Sequence, residues 1–179
     1  MAEYNWYENI SNSGDLSQGD FIEDCPILKP PPNISLEEDN DIEIDYINTI
    51  ILSQSCDLLN DKIQIVLVCP YITLKYFLDN LPENQKSSGA KKKAIDNLRK
   101  GYLPGYHLLN KQEEIGLEDY IVVDFRNVYG VHINNLKEIA SNLQNRIRLL
   151  PPYREHLSQA FARYFMRVGL PQDIQVEGY

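Results

Sequence analysis

The chain has 179 residues, of which 43% are hydrophobic and 24% are charged, as expected for one folded domain. Its 26 acidic and 17 basic residues give a formal net charge of −9, so the average field repels an anionic polymer. No apolar run is long enough to span a membrane, the first residues do not resemble a signal peptide, and three scattered cysteines cannot form a disulfide framework. We therefore expect a cytoplasmic protein with free thiols and no membrane partner.

The charge is distributed unevenly along the chain. Residues 1–45 carry twelve acidic side chains and one basic side chain, whereas residues 46–179 have a net charge of +2. The basic residues of the second part fall in two islands, at 86–111 and 146–167. An anionic polymer could dock on such an island, although charges of this kind more often only solvate surface helices.

The first half of the chain predicts a tail followed by strands. Residues 1–17 are polar and aromatic without an apolar period, which predicts a flexible N-terminal tail or, because of Tyr4, Trp6 and Tyr7, a segment that binds a partner. A β-like run at 21–28 ends at three prolines. Residues 46–53 and 62–69 are dense in aliphatic side chains and are separated by turn-forming residues, so they predict two neighbouring strands.

The second half predicts helices at both ends of a second group of strands. Residues 71–101 have helical apolar spacing and form a predicted helical insertion, and residues 152–168 carry a broad apolar stripe typical of an amphipathic helix. Short strands are expected at 106–109, 120–125 and 146–150. Because strands and helices do not alternate regularly, we predict one α+β domain over 18–179: a small, mostly antiparallel SH3-like β-barrel with that insertion and a C-terminal helix.

The spacing of reactive residues gives little support for metal, nucleotide or thiol chemistry. The chain has no paired cysteines or histidines at zinc-site spacing and no glycine-rich phosphate loop, so no metal and no cofactor are predicted. Cys56 follows an apolar strand in the turn Ser-Gln-Ser-Cys-Asp and could be a nucleophile. A polar turn with a half-buried thiol is the better interpretation, because no histidine is linked to it by spacing.

One set of residues suits RNA cleavage without a metal. Asp124 and Arg126 lie two apart after a predicted strand, so they project to the same side. Arg126 could bind the phosphate, and Asp124 or His132 could accept the proton of the 2′-hydroxyl. The alternative, an exposed salt bridge between Asp124 and Arg126, is more common.

A second set suits phosphate binding on the C-terminal helix. Arg163 and Arg167 lie four apart and so share one row of the helix, and Arg154 and His156 flank its start. Such a row could follow the phosphates of a nucleic acid. It is more often the solvent face of an amphipathic helix.

The order of these parts resembles a known family. The run 19–22, Gly-Asp-Phe-Ile, then prolines, then the run 50–53, Ile-Ile-Leu-Ser, resembles the opening of PemK/MazF-like toxin domains over residues 18–69. The resemblance implies a small SH3-like barrel, endoribonuclease activity, a homodimer and neutralisation by an acidic antitoxin segment. It carries one site residue over to this chain, Ser53 at the end of the strand.

The chain departs from that family at its catalytic arginine. The family places Arg-Pro before the apolar strand, where this chain has Asn48 and Thr49, and no arginine occurs before Arg99. We therefore predict a non-catalytic interaction domain of PemK/MazF-like ancestry that binds a protein partner or a nucleic acid, with RNA as the candidate nucleic acid. The alternative is a metal-independent endoribonuclease of the toxin–antitoxin type.

Overall fold

The computed structural model describes residues 4–11, 13–29, 31–33, 39 and 41–166. Within these ranges there are eight strands and five α-helices. The strands are β1 (Tyr7–Ser11), β2 (Phe21–Lys29), β3 (Glu43–Ile51), β4 (Ile65–Thr73), β5 (Tyr106–Leu109), β6 (Ile121–Asp124), β7 (Tyr129–His132) and β8 (Asn145–Leu149). The helices are α1 (Ser55–Leu59), α2 (Leu74–Asp79), α3 (Ser88–Arg99), α4 (Ile133–Asn142) and α5 (Tyr153–Phe165).

Six of the strands form one antiparallel sheet around β4. Its order is β2-β3-β4-β6-β5, and β7 pairs with the first half of β4 while β6 pairs with its second half. Successive side chains of β4 alternate between buried and exposed at Val66, Leu67 and Val68, the pattern of a strand with one face in the core. The predicted α+β class with a mostly antiparallel sheet is therefore confirmed.

The predicted closed SH3-like barrel is wrong. Among the described residues, β2 and β5 are the two ends of the open sheet and do not pair with each other. Strand β8, which the sequence suggested as part of the barrel, leaves this sheet and forms a separate two-stranded sheet with β1. β8 meets the start of β2 at an isolated bridge between Arg148 and Asp20, and it is not a strand of the six-stranded sheet.

The N-terminal segment, predicted to be a flexible tail over 1–17, is largely ordered within its described part. β1 pairs with β8 in antiparallel register from Tyr7 opposite Leu149 to Ser11 opposite Asn145. The Tyr7 side chain is buried and its hydroxyl donates a 2.6 Å hydrogen bond to the carbonyl oxygen of Asn110. Tertiary partners far along the chain thus order a segment that has no apolar period of its own.

A buried ion cluster attaches the N-terminal segment to β8. The carboxylate of Asp20 is fully buried and accepts hydrogen bonds from the guanidinium groups of Arg146, at 3.1 Å, and Arg148, at 2.5 Å. Arg146 also donates to the carbonyl oxygens of Ser13 and Asp15. Two arginines of the 146–167 basic island are therefore held inside the fold by one shared carboxylate.

Helix α5 packs across one end of the sheet. The predicted helix over 152–168 is observed over Tyr153–Phe165, and residues 167 and 168 lie outside the described residues. Leu157 is fully buried, and the ring of Phe161 meets that of Phe125, from the turn after β6, edge-on with centroids 5.5 Å apart. This contact fixes the helix beside β5. None of the described helices combines the length and the apolar character needed to cross a membrane.

Candidate functional site

A cleft of about 640 Å³ opens between the C-terminal end of α3, strand β5 and the first turns of α5. Three of its lining side chains, Arg99, Lys100 and Arg163, carry a permanent positive charge, and none of the described residues that line it is acidic. We call it the cationic cleft. A positive wall without a negative group is notable in a chain whose net charge is −9.

The positive charges of the cationic cleft are largely unpaired. Lys100 and Arg163 form no ion pair with any described residue, and Arg99 reaches Asp96 only at 3.7 Å. Arg163 stands on the exposed side of α5, and Lys100 follows the last residue of α3. An anion that enters the cleft therefore meets cations whose charge is not already balanced.

Aromatic rings line the same cleft. Trp6, the only tryptophan of the chain, stacks on Tyr153 with ring centroids 3.5 Å apart and nearly parallel planes. Tyr106 and the exposed Tyr120 stand on other parts of the wall. Cations beside exposed ring faces can bind phosphates and stack planar groups at the same time.

Two of the three histidines also meet in the cationic cleft. His107, on β5, lies nearly parallel to the buried ring of Phe125, with centroids 6.2 Å apart. Burial, and then the nearby His156, lower the pKa of His107 to about 4. His107 is therefore neutral at pH 7, and the permanent charge of the cleft comes from lysine and arginine.

The low pKa of His107 predicts an acid-sensitive fold. Its pKa is about 4 in the folded protein against an ordinary 6.5, so the unfolded chain takes up the proton first as the pH falls. The contribution of His107 to stability is intact above pH 6.5 and is lost towards pH 4. Between pH 7 and pH 5 the free energy of unfolding, measured with urea, should fall by about 2 kcal/mol more in the wild type than in His107→Gln. Parallel losses in the two proteins would contradict the assignment.

A second, polar pocket of about 440 Å³ lies on the other side of α5. Arg154, Glu155, Ser158 and Gln159 of α5 line it, and Gln159 also lines the cationic cleft. The other walls come from Gln18 and from the start of α1, Gln54, Ser55 and Cys56. We call this the polar pocket. The shared residue means that the two cavities adjoin across the helix.

Hydrogen bonds hold the walls of the polar pocket in place. The Nε2 atom of Gln18, a side chain only 5% exposed, donates to the carbonyl oxygen of Leu52 at 2.7 Å. The hydroxyls of Ser17 and Ser55 lie 2.7 Å apart. Arg154 donates two hydrogen bonds to Glu155, both to the Oε1 atom. Burial alone would raise the pKa of Glu155, but the lowering effects, led by the hydrogen bonds from Arg154, together outweigh it and the pKa is lowered. Glu155 is therefore ionised at neutral pH.

The structure does not bring the three residues predicted for RNA cleavage together. Arg126 forms a bidentate ion pair with Asp124, at 2.9 and 2.8 Å, and its guanidinium lies over the ring of Tyr106. The interpretation as a salt bridge is therefore the observed one. His132 caps α4 by accepting a hydrogen bond from the backbone N–H of Asn134.

The register of β4 shows how far apart these residues are. His132 pairs with Ile65, whereas Val123, next to Asp124, pairs with Tyr71. Six residues of extended strand separate Ile65 from Tyr71, which corresponds to about 20 Å. His132 therefore lies well away from the Asp124–Arg126 pair.

The other predicted site residues have mixed positions. His156 and Arg163 line the cationic cleft, Arg154 lines the polar pocket, and Arg167 lies outside the described residues. Ser53 lines neither cavity. It lies just after the end of β3, where its hydroxyl accepts a hydrogen bond from the backbone N–H of Leu67. Cys56 is exposed in α1, which replaces the predicted turn, and its nearest polar partner is Asp57.

Sequence reasoning missed several residues of the two cavities. His107 sits in a four-residue strand and Gln18 next to the Gly-Asp pair. Two signals were available: the aromatic residues of the N-terminal segment, which include Trp6, and the basic island at 86–111, which contains Arg99 and Lys100. Nothing in the sequence spacing connects these residues to α5.

Comparison with known proteins adds no family to this geometry. The chain matches no protein-family model and no curated protein sequence.

Proposed function

We propose that the protein is an interaction domain that binds single-stranded RNA in the cationic cleft without cleaving it. The observation that carries the proposal is the wall of Arg99, Lys100 and Arg163, with no acidic residue lining it, in a strongly acidic chain. Positive charge concentrated in a concave site attracts an anionic chain even when the average field opposes it.

The aromatic residues favour RNA over an acidic peptide. Trp6, Tyr106 and Tyr120 line the cleft beside the cations. Tyr153 covers one face of Trp6 and Arg126 lies over Tyr106, and stacking of unpaired bases on the remaining ring surfaces contributes about 1–3 kcal/mol per base. A glutamate-rich peptide would use the charges but not the rings. A single strand suits a concave cleft, because its unstacked bases can turn into the site while its phosphates face the cations.

Endoribonuclease activity receives no support from the residues first considered for it. Arg126 is already paired with Asp124, and His132 lies about 20 Å along the sheet from that pair. The resemblance to PemK/MazF-like domains stays a prediction. Because the sheet is open, a shared barrel fold no longer supports that resemblance.

A salt titration of RNA binding tests the proposal. We expect a twelve-nucleotide oligouridine to change the fluorescence of Trp6, with an affinity that falls as salt rises. Replacing Arg163 or Lys100 by alanine should weaken binding and reduce the slope of log K against log salt by about 0.7 for each residue. The matched control is the pair Lys92→Ala and Lys93→Ala, exposed cations of α3 that line neither cavity.

The outcomes separate the possible ligands. Binding that weakens equally in all four variants would mean that the cleft is not the site. Absence of RNA binding at low salt would refute the proposal. Absence of RNA binding with tight binding of a glutamate-rich peptide would identify an acidic protein as the partner instead.

A further inference from the structure

We propose that the polar pocket binds an unpaired guanine base from the RNA strand whose phosphates lie in the cationic cleft. The inference rests on the proposed function and adds sequence preference to it. Phosphate contacts carry no sequence information, so a preference must come from groups that meet the edges of bases.

The position of the polar pocket suits the next base of a strand that leaves the cationic cleft. Gln159 lines both cavities, so they adjoin at that point of α5. His156 and Arg163 face the cleft, whereas Glu155 and Ser158 face the pocket. A strand crossing α5 at Gln159 can leave its phosphate among the cations and place a base among the polar groups.

The chemistry of the polar pocket selects guanine among the four bases. Glu155 is a carboxylate acceptor, and both hydrogen bonds from Arg154 end on Oε1, so neither of them uses Oε2. The Watson–Crick edge of guanine presents two adjacent donors, N1–H and the N2 amino group, which match the two oxygens of a carboxylate, so that one donor binds Oε2 and the other takes the place of one Arg154 hydrogen bond on Oε1. None of the other bases offers both donors: adenine has an acceptor at N1 and a C–H at position 2, cytosine has acceptors at N3 and O2, and uracil has an acceptor at O2.

The pocket also supplies donors for the O6 atom of guanine. Gln54 is exposed at the mouth of the pocket, and its Nε2 lies 3.5 Å from the hydroxyl of Ser158, a contact weak enough to exchange for a ligand. Arg154 stands next to Glu155 and carries further N–H groups. A carboxylate beside an amide or guanidinium donor thus complements the whole polar edge of guanine.

A comparison of two oligonucleotides tests the proposal. The heptamer UUUGUUU should bind the wild-type protein about 10-fold more tightly than UUUUUUU, the effect of one good bidentate base contact. Glu155→Gln replaces one acceptor oxygen by a donor, and it should bring the ratio of the two affinities close to one. The control Glu138→Gln, an exposed carboxylate of α4 outside both cavities, should keep the preference.

Cys56 gives a second readout of the same pocket. It is exposed and lines the polar pocket, whereas Cys25 and Cys69 are buried, so N-ethylmaleimide should modify Cys56 alone in the folded protein. Saturating UUUGUUU should slow this modification several-fold, and saturating UUUUUUU should slow it less.

Each result decides one of the two proposals. Equal affinities for the two heptamers, with salt-dependent binding intact, would overturn the guanine site and leave the proposed function standing. A guanine preference that survives Glu155→Gln without protection of Cys56 would also overturn it, since the base would then lie elsewhere. Failure of both heptamers to bind at low salt would refute the proposed function and the guanine site with it.

Discussion

Replacing Asp20 by alanine should destabilise the protein by about 3–5 kcal/mol, the usual cost of removing one partner from a buried ion pair. The Asp20 carboxylate is fully buried and joins two guanidinium groups, Arg146 and Arg148, to the backbone N–H of Ser17. Without it, two positive charges face each other in a region from which water is largely excluded. Urea unfolding at pH 7, monitored by circular dichroism, measures the loss.

Two controls separate the effect of the charge from that of the hydrogen bonds. Asp20→Asn keeps an acceptor oxygen at the cluster and should lose less stability than the alanine variant. Asp41→Ala removes an exposed carboxylate from the same acidic part of the chain and should stay within about 0.5 kcal/mol of the wild type. A loss below about 1 kcal/mol in Asp20→Ala would mean that this cluster does not hold the N-terminal segment to β8.

Replacing Phe125 by alanine should cost about 3–5 kcal/mol, as for other large buried rings. Its side chain is 1% exposed and contacts His107 of β5 as well as Phe161 and Tyr164 of α5. The ring therefore lies between the strand and the helix that form opposite walls of the cationic cleft. Its loss leaves a cavity that the two walls can fill only by moving.

RNA binding gives this prediction a second measurement. At a temperature where Phe125→Ala is still folded, the oligouridine affinity should fall, although residue 125 does not line the cleft. Phe165→Ala removes a ring that is 63% exposed on the same helix, and it should change stability by less than about 1 kcal/mol. Equal stability of Phe125→Ala and the wild type would show that α5 is not anchored through this ring.

Local patterns in the sequence predicted most of the regular elements. The strand at 106–109 occurs with those bounds, and the apolar runs at 46–53 and 62–69 became β3 and β4 with shifted ends. The stripe on residues 157–165 predicted α5 because an amphipathic helix repeats its buried positions every three to four residues. These periodic patterns lie within single segments, so they can be recognised without knowing how the rest of the chain folds.

The arrangement of those elements was not available from local patterns. β1 has a polar sequence and forms because β8 supplies its hydrogen bonds from more than 130 residues away. β8 pairs with β1 and is not part of the six-stranded sheet, whose end strands β2 and β5 do not pair with each other among the described residues. Which two strands pair depends on all the strand edges that are available in the folded chain, so the sequence of a single strand does not determine its partner.

The candidate site shows the same division. The sequence by itself determined the α+β class, the acidic N-terminal part and the two basic islands that could receive an anion. The tertiary structure decided which cations remain unpaired: Arg146 and Arg148 share Asp20, and Arg126 pairs with Asp124, whereas Lys100 and Arg163 pair with no described residue and face one cleft. The reason is physical, since a charge is balanced by its neighbours in space, and only the folded chain brings those neighbours together.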